Sequence, residues 1–265
     1  MELLMLQVEI LWPAMIAGLI ILFTHVPLGR EVLQRGIIFL DLAIAQIAAF
    51  GVVAANTLWI SEGSAVPQTL IAVSAAIVGA LSLYKIRRLE VRVQEAIIGI
   101  LFILAATGSI LLLSTDPHGG EQLKKILVGQ ILWLQPQELI PLASAYVIII
   151  CVWCGLKKNV GEWLFYPLFA VTITLSTQVV GVYLVFASLI IPSLVTLRHS
   201  RPKLKAFIIG ALGYGFGLVF AAIFDLPAGA AIVWSLALVA ANYYVADYVL
   251  TKARRRFKVE PIKTL

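Results

Sequence analysis

The sequence predicts an all-α polytopic membrane protein, a single bundle of about nine transmembrane helices, and three observations lead there. Composition comes first: 61% of the 265 residues are hydrophobic and only 13% are charged, with a mean hydropathy of +1.00, far from the roughly 25% charged residues of soluble domains. A water-soluble fold of this composition would have no surface. Second, the apolar residues fall into runs of the ~20 residues that a helix needs to cross a bilayer. Third, of the 20 Lys and Arg, all but Lys124 and Lys125 sit in five short clusters between those runs. They are Arg30/Arg35, Lys85/Arg87/Arg88/Arg92, Lys157/Lys158, Arg198/Arg201/Lys203/Lys205, and a tail from Lys252 to Lys263. Basic residues at span ends stay on the cytoplasmic side, so these clusters mark the inside and place the N-terminus outside and the C-terminus in the cytoplasm.

The first run, 9–27, follows Glu2 and Glu9 rather than a basic segment, so it does not read as a cleaved signal. The second, 36–60, starts at Gly36 and carries one acid, Asp41. Runs 66–84 and 96–113 flank the cluster from Lys85 to Arg92. Segment 114–138 opens with the turn residues Asp116-Pro117-His118-Gly119-Gly120, then turns apolar from Leu123 to Leu134. It is too short for a span and reads as an outer loop with an interfacial helix. Run 139–156 ends at Lys157/Lys158, and 162–179 and 181–197 are joined only at Val179-Val180-Gly181, where a bent or re-entrant segment is the alternative. Runs 205–224 and 229–250 complete the bundle before the basic tail. Glu62, Asp116, Glu121, Glu138 and Asp225 then all fall outside.

The net charge of +6 is topological in placement, which argues against a nucleic-acid partner. Cys151 and Cys154 form a C-x-x-C inside an apolar run, where they read as small packing residues rather than a redox pair. His25, His118 and His199 are isolated in sequence and form no ligand cluster by spacing. The chain has no G-x-x-x-x-G-K-[ST] to cradle nucleotide phosphates, so any ATP is bound by another chain.

Few residues remain that could carry chemistry. Asp41 lies about 8 Å into the second run if that helix starts at Gly36; a carboxylate inside a span faces a bundle interior or a wet path, or snorkels to the interface. Gln46 is rotated about 140° from it. Thr172, Thr174, Ser176, Thr177 and Gln178 either line a pathway or bond back to their own helix. Gly210, Gly213, Gly215 and Gly217 read first as close helix packing. The basic turn from Arg198 through Arg201 and Lys203 to Lys205, just after Pro192, is either a topological anchor or a docking surface for a cytosolic partner.

Five segments in order resemble the permease of bacterial ABC importers for zinc, manganese or iron. They are GREVLQRGIIFLDLAIAQIAAFG from Gly29, QEAIIGILFILAATGSILLLS from Gln94, HGGEQLKKILVGQILW from His118, VVGVYLVFASLIIPSLVT from Val179 and DLPAGAAIV from Asp225. The resemblance covers nearly the whole chain and implies that residues 1–265 form one transmembrane permease domain in a bacterial inner membrane. It further implies a homodimer, a separate cytosolic ATP-binding subunit, an extracytoplasmic metal-binding protein, and no resident cofactor. Docking of the ATPase carries over to Pro192, Arg198, Arg201, Lys203 and Lys205.

One departure matters. Such permeases commonly show Asp-x-x-x-His in the second helix, an i, i+4 pair on one face. Here Ala45 follows Asp41 at that spacing, whereas a register fixed on Gly51 sets Gln46 against the His and Leu42 against the Asp. The resemblance therefore carries over Asp41 as the candidate metal ligand, Gln46 behind it and no histidine; with Thr174 and Gln178 of the polar stretch read above, these make up the expected substrate path. The competing class is a secondary transporter or channel with Asp41 as its ion or proton site, although the chain shows none of the internal repeats such proteins often carry.

Overall fold

The computed structural model describes residues 2–58, 65–114, 116–197, 199 and 201–257. Glu62, Arg198 and the tail from Lys258 to Lys263 lie outside them. All regular structure among the described residues is helical, and eight helices are long and apolar enough to cross a membrane. The protein is an all-α polytopic membrane protein. The helices are α1 (Glu2–Arg35), α2 (Leu40–Leu58), α3 (Ala65–Lys85), α4 (Val91–Leu113), the short α5 (Gly119–Val128), α6 (Pro136–Val160), α7 (Phe165–Val195), α8 (Pro202–Phe224) and α9 (Ala228–Phe257).

Small residues set the helix spacing, as packing within lipid requires. Ala72, Ala76 and Ala80 give α3 a buried small-residue stripe, and a side chain on Gly51 or Gly79 would press into Ala75 or Ile47 across the α2/α3 contact. Side chains at Gly210, Gly213 and Gly217 would collide with Leu22, Leu236 and Ile232, so these glycines do let α8 approach α1 and α9 closely. Gly215 has room.

Between α1 and α2 the chain turns at Gly36, left-handed at φ 73°. The Ile37 amide reaches back to the Val32 carbonyl at 3.4 Å, the closing bond of a Schellman cap. The next amide, Ile38, donates to Glu95 Oε1 of α4 at 2.7 Å, which ties this turn to a third helix. This stop moves the start of the second helix from the expected Gly36 to Leu40. Asp41 accordingly lies in the first turn of α2, shallower than the 8 Å the sequence suggested.

The two runs 162–179 and 181–197 form a single helical element, α7, which contains a non-helical residue, Gly181, at φ 78°, ψ 164°. In a straight helix Ser176 and Ser188 would stand about 18 Å apart along the axis. Both hydroxyls instead contact the one imidazole of His25, at 2.9 and 2.7 Å. The chain therefore reverses at Gly181. Contacts with α1 agree: Arg35 of α1 stacks on Phe165 at the start of the first leg, while Val26 and Gly29 meet Ser193 and Leu189 of the second. One leg runs antiparallel to α1 and the other parallel. Legs 165–180 and 182–195 rise only about 24 and 21 Å, less than a ~30 Å hydrocarbon core, and are buried by α1, α2, α3 and α9. The break sits at Gly181; the helix continues through Pro192, which does not end it.

The apex of this hairpin rests on the segment after α5. Gly129 (φ 73°, ψ −179°) and Gly181 both occupy backbone conformations essentially restricted to glycine, and a side chain on either would strike the other's backbone. A side chain on Gly229 would strike the Val128 carbonyl. Three of the five sequence segments quoted above thus converge on one node. The Gln130 amide donates to the Val179 carbonyl there, at 3.3 Å.

Candidate substrate pathway and polar core

A cavity of about 310 Å³ descends beside this node between α2, α3, α5 and α7. Ala45, Ala48, Ala49 and Val52 form its α2 wall, and Thr174 and Gln178 contribute from the first leg of α7. Gln68, Thr69, Lys125 and Gln130 give its mouth a polar rim. Thr69 donates to Gln178 Oε1 at 3.2 Å across that rim. Lys125 also reaches Glu121 at 3.4 Å along α5. Alanines along α2 leave the space that larger side chains would fill.

Asp41 does not line the cavity, but it belongs to the same helical face. Positions 41, 45, 48, 49 and 52 recur at i, i+4, i+7, i+8 and i+11, so the carboxylate lies one turn, about 6 Å, beyond Ala45. It is fully buried, and neither oxygen meets a side-chain donor among the described residues. Gln46 is also buried and faces away from the cavity. The sequence-predicted pathway residues therefore separate into Thr174 and Gln178 on the cavity wall, Asp41 beneath it, and Gln46 outside it.

The hydroxyls of α7 do bond back to their own helix. Thr172 donates to Leu168, Thr174 to Ala170, and Thr177 to Thr174, at 2.8–2.9 Å. Ser176 does this and more. Its hydroxyl also contacts His25 Nε2 and the Tyr146 hydroxyl of α6, while His25 Nδ1 meets Ser188. His25, Ser176 and Ser188 are all shielded from solvent, as is Tyr214, whose hydroxyl borders Ser188. Sequence reasoning set His25 aside as isolated, because its partners lie more than 150 positions away. The available signal was the imidazole in the middle of an apolar span, which requires polar partners at that depth.

At the opposite, basic end, Arg201 and Lys203 are exposed, and Lys205 lies 5.8 Å from the Tyr243 ring of α9. His199 pairs with Asp247 of α9 at 3.1 Å. Pro192 is buried and is not available as a contact surface. Cys151 and Cys154, read from the sequence as small packing residues, are exposed on α6. Among the described residues no group of three or more His, Cys, Asp or Glu is placed to hold a metal ion.

The sequence profile of the ABC 3 transport family matches residues 7–160 and 153–246. Among solved structures, PsaBC from Streptococcus pneumoniae in complex with Fab superposes with a TM-score of 0.69 at 20% identity, covering 91% of each chain. A transporter described as of metal-chelate ABC type, in an inward-facing conformation, superposes at 0.62 with 16% identity, covering 88% of this chain and 83% of that one.

Proposed function

The chain belongs to the ABC 3 transport family, and from that premise we propose that it is the permease subunit of a bacterial importer for a divalent transition metal, zinc, manganese or iron. It works as a homodimer in the inner membrane with a separate cytosolic ATPase and an extracytoplasmic metal-binding protein. The basic end faces the cytoplasm, where Arg201 and Lys203, with Arg198, present cations to the ATPase. Cargo enters past Gln178 and Thr174, descends along the alanine wall of α2 and meets Asp41.

The observation that carries this reading is Asp41: a buried carboxylate with no side-chain partner, on the face of α2 that lines the cavity. An acid at the centre of a span costs about 2.5–3.5 kcal/mol on insertion scales; Asp41, in the first turn of α2, costs less, and no cationic side chain stands beside it among the described residues. A passing divalent cation supplies the missing countercharge. With Ala45 in place of a second ligand, the site holds its cargo loosely enough for transit. The solved transporter of similar fold is described as of metal-chelate type, which names a metal-containing cargo rather than a bare ion.

The test is uptake of Mn²⁺ or Zn²⁺ into vesicles carrying permease, ATPase and binding protein. ATP-dependent accumulation is expected, falling about tenfold or more in Asp41→Asn, a barrier increase of ~1.4 kcal/mol. Uptake that persists after removal of the ATPase's phosphate-binding lysine would contradict the reading. So would full uptake by Asp41→Asn.

A further inference from the structure

Helix α7 is broken where its two ends most need to act together. Its second leg runs into the basic turn ending at Lys205, while its apex at Gly181 sits beside the cavity mouth. A glycine with non-helical φ and ψ between two helical legs is a natural hinge. One imidazole spans that hinge: His25 of α1 touches Ser176 on the first leg and Ser188 on the second.

Proton accounting shows how specific the crossing is. A neutral imidazole has one donor and one acceptor. Ser176 lies 2.8 Å from the Thr172 carbonyl and Ser188 lies 3.0 Å from the Val185 carbonyl, so each serine has a local acceptor for its proton. If both spent it there, one ring nitrogen would face an oxygen with nothing between them. Either tautomer makes both contacts, with Nε2–H donating to Ser176 while Ser188 gives up Val185 to donate to Nδ1, or with Nδ1–H donating to Ser188 while Ser176 gives up Thr172 to donate to Nε2. Each leg is then held by a directed bond, worth more in a dry interior than in water. Around it, Ser193 donates to the Val26 carbonyl at 3.4 Å, and Gly29 lets α1 lie directly against Leu189.

We infer that His25 is a positioning residue that clamps the two legs of α7 to α1, so that a displacement of the basic turn reaches the cavity mouth instead of being absorbed at Gly181. Its role in coupling ATP hydrolysis to transport rests on the permease reading above; the clamp itself does not. The two are tested separately.

For the clamp, spin labels at Leu168→Cys and Leu194→Cys, with Cys151 and Cys154 replaced, report the distance between the legs near their basic ends in the full assembled complex. A narrow distribution is expected with His25 present, and a clearly broader one in His25→Ala. For coupling, metal accumulated per ATP hydrolysed is measured in vesicles. His25→Ala is expected to keep hydrolysing ATP while accumulation per ATP falls about fivefold or more, the effect of losing on the order of one buried hydrogen bond. His25→Gln, whose amide offers both a donor and an acceptor, recovers much of that loss. If His25→Ala does not assemble, Ser188→Ala, which frees only the second leg, is read in the same two ways. An unchanged distance distribution, or unchanged accumulation per ATP, in an assembled variant overturns the inference. A wild-type complex that accumulates no metal while the distances respond as expected counts against the choice of cargo and leaves the clamp standing.

Discussion

Helices α6 and α7 follow one another in the chain and have nearly the same mean hydropathy, 1.9 and 2.1, yet 61% of the apolar window of α7 is buried inside the protein against 17% of that of α6. In water, apolar character itself decides what goes inside. In lipid it does not, because hydrocarbon tails are as apolar as leucine. What separates the two helices is their minority residues. α7 places Thr172, Thr174, Ser176, Gly181, Ser188 and Ser193 among its large side chains, and every one is buried. The outward surface of α6 carries Ile140, Val147, Ile148 and both cysteines. In α7 the small and hydroxyl-bearing residues turn inward, whereas in α6 Ser144 and Gly155 lie on the exposed surface with the aliphatics.

The sharpest way to break that contrast is to put a side chain on a glycine of each helix. Gly181→Val forces a branched residue into a glycine-only conformation and against the Gly129 backbone; a loss of about 3 kcal/mol or more is expected, seen as failure to recover monodisperse protein from membranes. Gly155→Ala on α6 meets nothing within 4 Å and is expected to leave thermal unfolding in detergent unchanged or slightly improved. Equal damage from both would erase the distinction.

A smaller effect compares two serines that both bond back to their own helix. Ser176→Ala strips His25 and Tyr146 of a shared partner and should cost about 1–3 kcal/mol in the same unfolding measurement. Ser144→Ala removes only a bond to the Pro141 carbonyl at an exposed position and should fall within ~0.5 kcal/mol of the parent. The smallest effect is steric. Cys151→Val and Cys154→Val, at exposed positions, should each stay within ~0.5 kcal/mol of the parent in the same unfolding measurement; a loss of about 2 kcal/mol or more would place α6 in the core.

The spans were legible in the sequence because length and the position of lysine and arginine report on the bilayer directly. The start of α2 was misread because nothing in an apolar run reveals that Gly36 closes a cap and that Glu95 holds the next amide from another helix. The α7 hairpin was half visible at Val179-Val180-Gly181, but choosing between two spans and a folded-back element required knowing that Ser176 and Ser188 share one ring. The site divides in the same way. Thr174 and Gln178 stood out as polar groups in an apolar run, and the structure sets both on the cavity wall. Gln46 shared that polarity but not the face, and Ala45, which shapes the wall, is conspicuous only by its small size. His25 went unused because its partners are remote in sequence.

The reversal inside α7 also changes the parity of the whole chain. Eight long helices, each crossing once, would return the polypeptide to the side from which it set out. Because one of them doubles back, the start of α1 lies beside Asp225 and Gly229, whereas the far end of α9 lies beside His199 and Lys205. Reporter fusions at the two termini should therefore signal from opposite compartments, and a topology drawn by tallying helices alone would invert everything downstream of Gly181.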